Sequence, residues 1–212
     1  MAKPMPRCRL YLQAPPPVTA DREAQLARAL AAVSPACVLL TDNGEAMEKV
    51  PAIDRAIDTV QGAGAACLVE NFEAAAELGA DGVHISADPD LYAPARALLG
   101  ASANIGVFCG QARHQAMQLA EAGADYVAFG PSATVEPSMH EAGEMLELVT
   151  WWSEIFVIPC VAWNVERVAD AGAFADAGAD FIAPPPTIWE DDEAIERLVE
   201  LDRVISGNRR AA

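Results

Sequence analysis

The chain has 212 residues, 52% of them apolar, which is enough for one sizeable core and short for two, so residues 1–212 are read as a single domain. A formal charge of −17 argues against a nucleic-acid partner and makes a polyanionic ligand hard to attract unless cations gather locally. No charged leader with an apolar core and no apolar run of membrane-spanning length stands in the sequence, so a cytoplasmic protein without membrane contact is expected.

The five cysteines, Cys8, Cys37, Cys67, Cys109 and Cys160, form no CxxC pair and fall almost entirely inside apolar segments. They are read as buried small hydrophobes, not as disulfides or metal ligands.

Taken in order, residues 9–13 read as a first strand, broken by Pro15, Pro16 and Pro17 before a helix capped near Thr19 or Asp21 and running to about Val33. A strand at 37–41 turns through Asp42-Asn43-Gly44 into a helix over 45–61 that is bent at Pro51 or begins there. A third strand at 66–70 leads to a short helix, 72–78; a fourth at 82–85 leads through Asp88 and Asp90 to a helix ending near Leu99. Strand 104–109 precedes helix 112–122, and strand 126–129 precedes a loop without periodicity, 130–140, and a helix over 141–152. Strand 156–162 with helix 165–177, then strand 181–183 with helix 190–205, complete the series.

One phrase organises this series. Glu121-Ala-Gly-Ala-Asp-Tyr-Val-Ala-Phe-Gly-Pro131 returns around Gly79-Ala-Asp81 and Gly178-Ala-Asp180, and more loosely around Gly64. Each copy ends a helix on a left-handed glycine and starts an apolar strand. Eight continuous apolar strands alternating with helices predict a parallel sheet covered on its outside, closed as a (β/α)₈ TIM barrel. Function is then to be sought in the loops after the strands.

There the residues resemble a known family. Ala80-Asp-Gly-Val-His-Ile85 is similar to the fourth-strand motif ADGVHLGQ of the thiamine phosphate synthase and thiazole tautomerase family, and Gly123-Ala-Asp-Tyr-Val-Ala-Phe-Gly-Pro131 to its sixth-strand GADYIGVGP. The order of pieces agrees from about Leu10 to Ile205. The resemblance implies a barrel enzyme that joins a pyrimidine diphosphate to a thiazole phosphate and releases diphosphate, using Mg²⁺.

The site motifs depart from that pattern. The QxRxK-like run after the second strand is replaced by Val38-Leu-Leu-Thr-Asp-Asn43, and the Asn-Asp pair after the third by Asn71-Phe72. The expected Gly-Gln-x-Asp is Ser86-Ala-Asp-Pro89, with Asp88 and Asp90 straddling the metal position. The fifth strand ends Phe108-Cys-Gly110, without the hydroxyls and histidine of relatives. In the sixth-strand loop Thr134 is kept but Glu136 stands near the family's lysine. Where two glycines and a Val-Ser pair should wrap a phosphate, the chain has Trp163-Asn164 and Pro184-Pro-Pro186; proline has no N–H to offer.

From this set Asn71, His84, Thr134, Trp163, Asn164 and Thr187 are the expected substrate-binding residues, and Asp88 and Asp90 the metal candidates, with Mg²⁺ as cofactor only if the enzyme is active. No catalytic residue is assigned. A hydrogen-bonded structural role competes for His84, a solvated face for Asp88 and Asp90, and a solvated first turn for Arg113 and His114. Trp163, Trp189, Phe108 and Phe72 are expected at the mouth, plugging it or lining a pocket for a flat neutral or cationic ring. Trp151-Trp152 reads as outer packing or a subunit contact, leaving a homodimer open. The expectation is a divergent relative bound to a small molecule with the coupling activity lost; the alternatives are an active transferase or an enzyme on another small substrate.

Overall fold

A computed structural model describes residues 8–16, 19–41, 51–131 and 139–207, with side chains from 143 onward in the last segment. Eight parallel strands close into a barrel in chain order: β1 (Arg9–Ala14), β2 (Cys37–Leu40), β3 (Ala66–Val69), β4 (Gly82–Ser86), β5 (Asn104–Gly110), β6 (Tyr126–Phe129), β7 (Cys160–Trp163) and β8 (Phe181–Ala183), with β8 pairing back onto β1. Helices α1 (Ala20–Ala32), α2 (Pro51–Gly62), α3 (Phe72–Leu78), α4 (Pro89–Leu99), α5 (Arg113–Ala122), α6 (Met139–Ile155), α7 (Val168–Ala177) and α8 (Ala194–Gly207) follow the strands one by one. The expected barrel is the observed one. The turn at 42–44 and the loop 132–138 lie outside the described residues.

Local chemistry explains the boundaries. Thr19 caps α1, its Oγ1 accepting from the Arg22 amide, and Asn71 Oδ1 caps α3 by accepting from the Ala74 amide at 2.7 Å. Asp88 caps α4, where Pro89 takes the first helical position. Gly79, Gly123 and Gly178 end α3, α5 and α7 in the left-handed region, as the repeated phrase predicts.

The aspartate that follows each of those glycines has a further task. Asp81 Oδ2 accepts from the Cys67 amide at 2.7 Å, Asp125 Oδ2 from the Ile105 amide at 2.7 Å, and Asp180 Oδ2 from the Cys160 amide at 2.9 Å. Each carboxylate thus ties the entry of one strand to the amide at or near the start of the strand before it.

Three boundaries depart from expectation. The apolar run 156–159 is not strand: Val157 is 98% exposed, and Phe156 stacks on Trp152 at 4.1 Å, so β7 begins only at Cys160. Helix α7 starts at Val168 instead of Val165, because the Val165 amide bonds the Ala183 carbonyl. A 3-10 helix, Pro186–Glu190, precedes α8, which starts at Ala194 instead of near Glu190.

Two hydrophobic clusters divide the interior. The larger lies between the sheet and its helices. The smaller fills the barrel itself with Tyr11, Cys37, Leu39, Leu68, Tyr126, Ala128, Val161, Trp163 and Ala183. Alternation along each strand sends one residue in and the next out. Tyr126 fits because its register partner on β5 is Gly106, where a Cβ would sit 1.8 Å from the tyrosine ring. The five cysteines are all buried and none is in a disulfide, and burial pushes the Cys8, Cys67 and Cys109 thiols up to about 12.

Candidate functional site

The carboxyl ends of the strands surround a cavity of about 440 Å³. Gln13 comes from β1, Glu70, Asn71 and Phe72 from the β3–α3 junction, His84 and Ser86 from β4, Phe108 from β5, and Trp163 and Asn164 from the end of β7. The walls are therefore one carboxylate, three carboxamides and several aromatic faces. Neither lysine nor arginine lines this cavity among the described residues.

The floor is aromatic. Trp163 stacks on the His84 imidazole with ring centres 4.4 Å apart and planes 15° from parallel, and meets Tyr11 edge-on at 5.1 Å. Phe108 lies 6.0 Å from Trp163. His84 Nδ1 bonds the Tyr126 hydroxyl at 3.0 Å, and burial lowers its pKa from the ordinary 6.5 to about 3, so the imidazole is neutral.

The rim over β1, β7 and β8 is stitched to itself. Gln13 Nε2 donates to Asn164 Oδ1 and to the Pro184 carbonyl, both at 3.0 Å, while the Trp189 indole N–H donates to the Gln13 carbonyl. Asn164 adopts the left-handed conformation at φ 56° and reaches the Pro131 carbonyl. Of the main-chain amides here, that of Val165 goes to Ala183 and that of Ile188 to Pro185, and Pro184, Pro185 and Pro186 have none.

Of the expected binding residues, Asn71, His84, Trp163 and Asn164 are brought together in this cavity, although Asn71 Oδ1 already serves α3. Thr187 lies apart, in a neighbouring cavity of about 210 Å³ with Glu166, Asp191 and Arg197. Thr134 is outside the described residues. Asp88 spends its carboxylate on the Asp90 amide, and neither residue lines the cavity. Among the described residues no three His, Cys, Asp or Glu side chains gather as a metal site.

Phe72 and Phe108 stand at the mouth as expected, but Trp189 is buried against β1 and lines a separate crevice with Arg22 and Gln25. Arg113 packs over the Trp151 ring at 4.7 Å, which makes that tryptophan outer packing and takes the arginine away from the cavity. The sequence reading missed Tyr11 and Tyr126, whose inward direction follows from strand register, and Arg197, which α8 brings beside the rim.

Fold and cavity together define a (β/α)₈ barrel with a small-molecule-sized pocket at the carboxyl ends of its strands. Residues 10–185 match the family model described as thiamine monophosphate synthase, and the chain belongs to that family. It is 39% identical over 213 residues to the thiamine-phosphate synthase of Rhodospirillum centenum, covering 96% of this chain and 100% of the relative. The thiamine-phosphate synthase of Hyphomonas neptunium is 38% identical, over 91% of this chain and 90% of its own. Among solved structures, thiamine phosphate pyrophosphorylase from Pyrococcus furiosus superposes with a TM-score of 0.73 at 18% identity, covering 94% of this chain and 96% of that one. Wild-type GGGPS from Thermoplasma volcanium gives 0.69 at 13%, covering 96% and 94%, a likeness of fold alone. Among the described residues no helix is long and apolar enough to cross a membrane.

Proposed function

We propose that this barrel is a divergent, ring-binding member of its family in which the coupling of two phosphorylated substrates has been lost. One observation carries the reading: among the described residues the 440 Å³ cavity is lined by Glu70 and no cation. A diphosphate needs cationic or main-chain donors where its charge lies. The prolines and internally bonded amides of the rim leave a phosphate poorly held.

What the cavity offers is aromatic surface from Phe72, Phe108 and Trp163, amide edges from Gln13, Asn71 and Asn164, and one carboxylate. A flat, neutral or cationic small molecule suits those walls. Buried cysteines outside any disulfide suit a reducing compartment such as the cytoplasm. The charge of −17 disfavours nucleic acid as a partner.

A second reading, an active thiamine-phosphate synthase using Mg²⁺, draws support from the names of relatives 38–39% identical over nearly the whole chain. Purified protein incubated with the pyrimidine diphosphate, the thiazole phosphate and Mg²⁺ separates the two. Under the first reading no thiamine phosphate forms above background; formation on the order of once per second or faster overturns it. Thermal shift adds a second readout: thiamine, a flat cation, raises the melting temperature, and diphosphate and thiazole phosphate leave it unchanged.

A further inference from the structure

The end of the barrel opposite the cavity carries an apolar projection. Helix α6 stops at Ile155, and residues 156–159 run outside any strand before β7 begins. Val157 is 98% exposed and Ile155 62%, the two most exposed large apolar side chains among the described residues. The segment is nevertheless held in place. The Phe156 amide donates to the Trp152 carbonyl at 2.8 Å, and the Phe156 ring stacks on the Trp152 indole. That indole N–H donates to the Ile158 carbonyl at 2.8 Å, and the Pro159 carbonyl accepts from the Val127 amide at 3.1 Å. Trp152 is itself fully buried, so anchors on both sides of Val157 keep it in water. Two large apolar groups fixed in solvent contribute nothing to folding, whereas a preordered apolar surface loses little freedom when a partner covers it.

Charge narrows what can cover it. Each helix runs back from the carboxyl end of its strand, so the helix carboxyl termini, the negative ends of their dipoles, gather at this end of the barrel. The last turns of α5, α6 and α7 hold Glu121, Glu154 and Asp176 and nothing basic. Among the described residues α4 alone of the eight helices has a cation in its last turn, Arg96, which pairs with Asp125. Arg9, at the start of β1, is turned to the carbonyls of Ser34 and Pro35. A second copy of this chain brings like charge to like, and an anionic bilayer is repelled for the same reason.

We propose that Ile155, Phe156 and Val157 form a docking surface for a partner protein that covers them with a cationic amphipathic segment. Its apolar side chains lie on the projection, and its lysines or arginines face Glu154 and the helix ends. The surface is at the far end of the barrel from the 440 Å³ cavity, so docking leaves the cavity open and does not depend on what the cavity binds.

Calorimetric titration of the full chain with a short amphipathic peptide of leucine and lysine tests this. The wild type is expected to bind it, and the double variant Ile155→Ser, Val157→Ser, which leaves the net charge unchanged, to bind at least about tenfold more weakly. A companion peptide with serine in place of leucine is expected to lose at least about tenfold as well, and Glu154→Gln to weaken the leucine peptide by about threefold. Both serine substitutions fall on exposed side chains, so an unchanged melting temperature is expected to accompany them. Amide shifts on adding the leucine peptide are expected at 153–158; shifts centred on Asn71 and Ser86 at the cavity overturn the proposal. Equal affinity of wild type and double variant, or of the two peptides, reduces the contact to diffuse attraction and overturns it, as does no binding at all. Sedimentation decides the occupant. A wild-type dimer abolished by the double variant assigns the surface to a second copy, and cosedimentation with phosphatidylglycerol vesicles abolished by the same variant assigns it to a lipid surface; either result overturns the cationic protein segment.

Discussion

His84 stays uncharged inside the barrel because burial withholds the water that an imidazolium needs, which lowers its pKa from 6.5 to about 3. The unfolded chain takes up this proton below about pH 6.5, whereas the folded chain refuses it until about pH 3. Acid therefore favours the unfolded state, and stability falls through that window by up to about 1.4 kcal/mol per pH unit from this residue alone. Urea midpoints measured between pH 7 and pH 4 should fall accordingly, and more shallowly in His84→Phe. At the rim, Asn164 combines a left-handed backbone with the hydrogen bond from Gln13. Asn164→Gly keeps the backbone at ease and loses only the amide contact, whereas Asn164→Ala loses both. We expect the alanine variant to cost about 1–2 kcal/mol in denaturant unfolding and the glycine variant less; equal costs would mean that the backbone conformation contributes nothing.

At the scale of the element, the three Gly-Ala-Asp repeats serve both the fold and its closure. The sequence shows the glycine ending a helix and the strand that follows, since both are local. It does not show that the aspartate reaches across to the amide of the preceding strand, because that partner lies 14 to 20 positions away in sequence. Asp125 adds an ion pair with Arg96 at 2.5 Å to its bond with the Ile105 amide. Asp125→Ala leaves a strand-entry amide unsatisfied, with an expected cost of about 1–3 kcal/mol. Asp125→Asn, which keeps an acceptor, should recover much of that loss; a thermal melt of the two variants decides it. The misread boundaries have a similar origin. An apolar run such as 156–159 has the composition of a buried strand, and only packing reveals that Val157 faces water while Phe156 covers Trp152.

For the molecule as a whole, eight apolar segments separated by helices suffice to specify the barrel, because a covered parallel sheet leaves few other closures. The inside of the barrel is less legible. Continuous apolar strands hide which alternate residues point inward, so Tyr11 and Tyr126 could not be told from core residues facing the helices, and Trp189 could not be told from a residue of the mouth. Register places the two tyrosines, and the indole hydrogen bond to the Gln13 carbonyl places Trp189 on its 3-10 helix. The excess of 17 negative charges also belongs to this scale, since it acts through mutual repulsion and not through any one pair. Screening should relieve it: the melting temperature is expected to rise as sodium chloride goes from about 0.01 to 0.5 M, over which the screening length contracts from tens of ångströms to a few. A fall would show that attractive ion pairs such as Arg96–Asp125 outweigh the repulsion.

The tyrosine laid across Gly106 makes two neighbouring strands share one space. Neither position can change by itself: a methyl group at 106 has nowhere to go while an aromatic ring covers it, and shrinking the ring alone leaves a void. Descendants of this chain that lose the ring at 126 are therefore free to acquire a bulkier residue at 106. Substitution at the two sites should be correlated, and with it the fate of the histidine that the ring supports.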